Sequence, residues 1–115
     1  MMRSVAFLLL VGACTYTSIV TPKSEPTSVG TSAEYTVYVG CGLRQSVFDL
    51  DGSLWVPVGV SSEDMSRTPA GFEAPDDTGM LTLVARNRAE FLSSQGRLIV
   101  LDRHEGNLEI DGRCD

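Results

Sequence analysis

The feature that most constrains the fold is an apolar period of two, which begins near Glu34 and continues towards the C-terminus. Tyr35, Val37 and Val39 would share one face of an extended chain, as expected for a half-buried β-strand. Past residue 33, we find no run of about ten residues with a convincing helical period. The pattern therefore predicts an all-β fold.

Further strands are predicted wherever short apolar runs are bounded by turn residues. These runs are 43–50, 54–58, 80–85, 89–92, 97–101 and 108–110. Such spacing is typical of a small antiparallel meander that forms a barrel or a sandwich, here of about six to seven strands. We interpret 97–101, the most apolar run, as a central strand buried on both faces.

The sequence predicts more specific features for two segments. Asp51-Gly52 stands between two strand runs and is the strongest hairpin signal in the chain, because a tight turn needs positive φ. Residues 59–78 have no period and several carboxylates, which indicates a long loop that is either functional or mobile. Phe72, the aromatic residue of that loop, is expected to anchor it to the core.

The N-terminus has the parts of an export signal: Arg3, the apolar run 5–11, and small residues before Cys14. The sequence Val-Gly-Ala-Cys over 11–14 resembles the lipobox of bacterial lipoproteins. That resemblance implies cleavage before Cys14 and acylation of its thiol, which anchors a protein stably when two or more chains are attached. Simple secretion and no export are the alternatives.

The resulting division is a signal peptide over 1–13, a lipidated cysteine and flexible tether over 14–33, and an all-β domain over 34–115. The tether is predicted because 15–33 is rich in Thr and Ser and lacks an apolar period. The expected location is the extracytoplasmic side of the cell membrane, with the membrane as partner through the lipid. The Cys-Gly pair and the single strand tryptophan also resemble small exported proteins of unknown role from actinobacteria.

The chain has three cysteines, and lipidation of Cys14 would leave Cys41 and Cys114 as an even pair. In an oxidising compartment these two are expected to form a disulfide. Because such a bridge would close nearly the whole domain into a loop, it would stabilise the fold by about 4 kcal/mol. Two independent buried thiols are the alternative.

Residues 47–54 resemble the nucleophile motif of haloacid-dehalogenase-like hydrolases. The resemblance would make Asp49 the nucleophile and Asp51 the general acid and base of a magnesium-dependent phosphate-ester hydrolase. Two points favour a plain hairpin: no lysine follows the motif, and 53–58 continues as extended chain instead of entering a helix.

Other chemistry is poorly supported by the sequence. Asp49, Asp51 and the loop carboxylates lack calcium-loop spacing. His104 is the only histidine and fits a turn, so no common zinc site is expected. The net charge of −6 disfavours nucleic acid as a partner. Trp55 is assigned to the core, with an exposed anchor for a partner as the alternative. We therefore predict no catalytic, cofactor-binding or metal residues, and a non-enzymatic binding or accessory module. A secreted, unanchored binder or inhibitor is a further alternative.

Overall fold

The computed structural model of the protein describes residues 17–111, and this part of the chain is mostly β. The strands are β1 (Thr17–Val20), β2 (Ser32–Tyr38), β3 (Phe48–Leu50), β4 (Ser53–Val58), β5 (Asp76–Ala85), β6 (Arg88–Leu92), β7 (Leu98–His104) and β8 (Leu108–Asp111). There are also a 3₁₀ helix, Leu43–Gln45, and a short α-helix, α1, Ser62–Ser66. The predicted all-β class is confirmed.

Six strands form an antiparallel sheet in the order β2-β5-β6-β7-β4-β3, and β1 pairs with β8 in a separate small sheet. The larger sheet curls into a nearly closed barrel. The Tyr35 hydroxyl of β2 bridges the two edge strands, since it donates to the Val47 carbonyl at 2.7 Å and accepts from the Asp49 amide at 3.1 Å. A barrel is therefore the form that the predicted antiparallel sheet takes.

The core fills the barrel with the inward-facing side chain of every second residue, as the period of two predicts. Buried there are Val37, Val39, Leu43, Phe48, Trp55, Phe72, Leu81, Leu83, Ala89, Phe91, Ile99 and Leu101. Trp55 is 0% exposed, which confirms its assignment to the core. Its indole N–H donates to the Leu50 carbonyl at 2.9 Å, so the polar atom of the ring is also satisfied.

Strand β7 corrects one expectation. It lies in the interior of the sheet, between β6 and β4, but it is not buried on both faces. Ile99 is 1% exposed, whereas the neighbouring Leu98 is 50% exposed. The prediction was wrong because a run of apolar residues does not reveal whether anything covers the outer face of a sheet.

The predicted strand over 43–50 is also shorter than expected. The chain enters the 3₁₀ helix from Gly42, whose φ of 91° turns the backbone out of the extended conformation. Extended pairing resumes only at β3.

The segment 14–33, predicted as a flexible tether, differs from that prediction wherever the structure describes it. Residues 17–20 pair with β8, and the Gly30 amide donates to the Leu83 carbonyl at 2.6 Å. The sequence did not indicate this order, because the segment has few apolar residues. Backbone and side-chain hydrogen bonds hold it in place more than apolar burial does. The predicted signal peptide, 1–13, and Cys14 lie outside the described residues.

Candidate functional site

The hairpin around Asp51-Gly52 is the centre of the candidate site. Strands β3 and β4 pair antiparallel, with Phe48 opposite Trp55 and Leu50 opposite Ser53. Asp51 and Gly52 have φ values of 54° and 69°, as a two-residue primed turn requires. The predicted hairpin is confirmed, and the chain continues from Gly52 directly into strand.

A short N-terminal segment, the strap (residues 23–27), lies against this turn. The Asp49 carboxylate accepts from the Lys23 amide at 2.7 Å and from the Ser24 hydroxyl at 2.5 Å. The Ser24 hydroxyl oxygen also accepts from the Gly52 amide at 2.9 Å. Both oxygens of Asp49 are therefore used to hold the strap.

Asp51 joins the strap to β7. One of its carboxylate oxygens accepts from the Thr27 amide at 2.7 Å, and the other pairs with the Arg103 guanidinium at 2.7 Å. The Thr27 hydrogen bond, followed by the hydrogen bond from Arg103, lowers the pKa of Asp51 below its ordinary value. Asp51 is consequently held as a carboxylate, which suits a structural ion pair better than it suits a general acid.

Arg103 is a functional candidate that the sequence reasoning missed. Its guanidinium lies over the Trp55 ring at 4.5 Å from the centroid and donates to the Ser53 hydroxyl at 2.6 Å. It also donates to the Arg86 carbonyl at 2.7 Å. The signal was available, because Arg103 continues the inward-facing alternation of Ile99 and Leu101, a position where an arginine needs partners.

Thr27, Asp51 and Arg103 contribute to the lining of an open groove of about 490 Å³ at one end of the barrel. The groove is lined by Thr27, Val29, Asp51, Leu83, Arg86, Asn87, Arg103 and Glu105. Among the described residues, neither the Arg86 guanidinium nor the Glu105 carboxylate is part of a salt bridge. The groove therefore offers apolar surface from Val29 together with charged groups of both signs.

The opposite end of the barrel is covered by residues 59–75, which connect β4 to β5. The predicted loop over 59–78 is shorter than expected, because β5 begins at Asp76. Helix α1 begins with a capping box between Ser61 and Asp64, and Asp64 pairs with Arg97 at 2.7 Å. The Arg97 hydrogen bond lowers the pKa of Asp64. Phe72 is 6% exposed and stacks on Phe91 at 6.0 Å, which confirms that it anchors the loop.

Asp77 is the second charged residue that sequence reasoning did not single out. It is 0% exposed, and it accepts from the Glu73 amide at 2.9 Å, the Ser94 amide at 2.9 Å and the Ser94 hydroxyl at 2.5 Å. Burial raises the pKa of Asp77, but these hydrogen bonds outweigh it, so the net pKa is lowered. The carboxylate thus ties the loop to the β6–β7 turn.

His104 is the last residue of β7, so it borders the turn in which the sequence placed it instead of lying within that turn. Its Nε2 lies 2.9 Å from the Asn107 carbonyl oxygen. Across residues 17–111, no three or more His, Cys, Asp or Glu side chains are grouped so that they could hold a metal ion. Within the same residues, no helix is both long enough and apolar enough to cross a membrane.

Cys41, one half of the predicted disulfide, is 3% exposed and has its sulfur 3.1 Å from the Tyr38 hydroxyl. Its predicted partner, Cys114, lies outside the described residues. Strand β8 contacts the 3₁₀ helix that follows Cys41, so the chain approaches Cys41 shortly before Cys114. The Cys41–Cys114 pairing stays a prediction.

Comparison with known proteins gives no family for this arrangement. Neither the known protein families, nor the curated proteins, nor the solved structures contain a significant match to this chain.

Proposed function

We propose that the chain is a small bacterial cell-envelope lipoprotein, anchored through Cys14 on the extracytoplasmic side of the membrane, and that its domain is a non-enzymatic binding module. The proposal of a non-enzymatic module rests on one observation: the carboxylate oxygens of Asp49 and Asp51 already have hydrogen-bond and ion-pair partners. Their oxygens hold the strap and Arg103, so both carboxylates of the catalytic-like motif have structural partners, and Asp51 lines the groove.

The position of β1 supports a domain held close to the membrane. Thr17 already pairs with β8, and it is only three residues after Cys14 in the sequence. Three extended residues span about 10 Å, so an acyl group on Cys14 would hold the domain close to the lipid headgroups. A free tether over 14–33 would place the domain farther from the anchor than this.

The direction of β8 supports an outward-facing groove. Leu108 follows the β7–β8 turn, which contributes Glu105 to the groove, and β8 then runs away from the groove to Asp111. Thr17 lies opposite Asp111, at the far end of this strand. An anchor just before Thr17 would therefore leave the groove turned towards the aqueous phase, accessible to a ligand.

Lipidation is tested by growing an expressing bacterium with labelled palmitate. We expect the wild-type protein to incorporate the label and Cys14→Ser to incorporate none, because only this thiol follows the lipobox-like residues. Cys41→Ser is the matched control and should keep the label per molecule of protein. Exported protein whose intact mass shows a free Cys14 would refute the anchor.

The hydrolase alternative is separated by an assay with p-nitrophenyl phosphate and magnesium. We expect wild type and Asp49→Asn to show the same background turnover, because both oxygens of Asp49 already accept hydrogen bonds. Asp76→Asn, at an exposed position on β5, serves as the control. Turnover that Asp49→Asn abolishes and Asp76→Asn retains would establish the hydrolase instead.

A further inference from the structure

A second cavity, distinct from the groove, lies between the small sheet and the outside of the barrel. It is an apolar cleft of about 200 Å³. Its apolar lining consists of Leu43, Val56, Pro57, Met65, Leu108 and Ile110. Most of these side chains are only half-buried, so they present apolar surface to an open space instead of packing fully against one another.

The sequence builds this cleft from separate elements. Val56 points outward from β4, on the strand face opposite the core residue Trp55. Leu108 and Ile110 alternate with the exposed Glu109 on β8, so that one face of this short strand is apolar. Met65 of α1 adds a flexible side chain, which is well suited to an irregular apolar ligand.

The lining also includes charged groups of both signs. Arg44 lies next to Leu43 in the 3₁₀ helix, is exposed, and forms no salt bridge with the other described residues. Glu109 is exposed on β8 and would repel an anion. A ligand with an apolar chain and an anionic head would therefore bind with its head next to Arg44.

We propose that this cleft binds a medium-chain alkyl carboxylate, with the alkyl chain against Val56 and Ile110 and the carboxylate on Arg44. The volume indicates the length of chain that the cleft can accommodate. At about 30 Å³ for each water-sized group, the cleft holds about seven heavy atoms, which is close to the alkyl part of octanoate. This inference is independent of lipidation and of the groove.

The test is calorimetric titration of sodium octanoate into the full chain carrying Cys14→Ser, which cannot be acylated at that position. We expect a dissociation constant on the order of 1 mM. Val56→Glu should abolish binding, because it brings a negative charge into the cleft. Val100→Glu adds the same charge at another half-buried position, on β7, and should leave the affinity unchanged.

The head group is tested by a second pair of variants. Arg44→Gln should weaken octanoate binding about fivefold, as expected for loss of one solvent-exposed ion pair, and should leave octanol binding unchanged. Arg86→Gln, at the groove, is the control for the loss of one positive charge. The proposal is overturned if octanoate does not bind, or if Val56→Glu and Val100→Glu weaken it equally. Equal affinity for octanoate and octanol would overturn the role of Arg44.

Discussion

Gly42→Ala is expected to lower the free energy of unfolding by about 4 kcal/mol. Two effects add at this position. Its φ of +91° is strained for any residue with a Cβ, and an added Cβ would overlap the Met65 carbonyl oxygen and lie 2.6 Å from the Arg67 nitrogen. Because these are backbone atoms, at the C-terminal end of α1, they cannot move without displacing the helix. Urea unfolding measures the loss.

Gly96→Ala is the matched control for this prediction. Gly96 has the same φ of +91°, but nothing lies within 4 Å of the Cβ that alanine would add. Gly96→Ala should therefore lower the free energy of unfolding by the backbone strain alone, about 1 kcal/mol. If the two substitutions cost the same, α1 does not pack on Gly42 as closely as described.

Asp77→Ala is expected to lower the free energy of unfolding by about 3 kcal/mol. The substitution removes a buried acceptor and leaves the Glu73 amide and both Ser94 donors without it. The end of the segment over 59–75 should detach, and its amides should lose protection from hydrogen exchange. Asp76→Ala removes an exposed neighbouring carboxylate and should change stability by less than about 0.5 kcal/mol. Equal losses in the two variants would contradict the assigned role.

The same carboxylate makes stability depend on pH. The pKa of Asp77 is lower in the folded protein than its ordinary value, so its contribution is complete above the unfolded pKa. This contribution is lost as the pH falls below about 4. Wild type should therefore lose stability on acidification, and Asp77→Ala should lose less over the same range. Parallel pH profiles would show that Asp77 is not the group responsible.

The local structure was predictable because it depends on neighbours in sequence. The alternation in β5 and β6 and the Asp51-Gly52 turn each follow from the stereochemistry of a few adjacent residues. The capping box of α1 was also visible in the sequence, as Ser61 followed three residues later by Asp64. It was missed because a helix of five residues has no measurable apolar period.

The non-local contacts were not predictable in the same way. Nothing in β2 specifies that it pairs with β5 instead of with the next strand along the chain. The partners of Arg103 and the Ser94 donors to Asp77 likewise come from distant segments, so the roles of these two residues depend on the finished barrel. Arg103 and Asp77 occupy strand positions that continue the alternation of the inward-facing residues. Only this spacing distinguished them from surface arginines and carboxylates.

The pairing of Thr17 with Asp111 has a consequence for the order of events during synthesis. A chain that emerges N-terminus first cannot complete the small sheet until its last strand has also emerged, since nearly the whole domain separates the two partners. Contacts between residues that are so far apart in sequence form late, and they make folding slower. The strand β1 must therefore wait unpaired while the barrel assembles, and it is accessible to proteases during that interval.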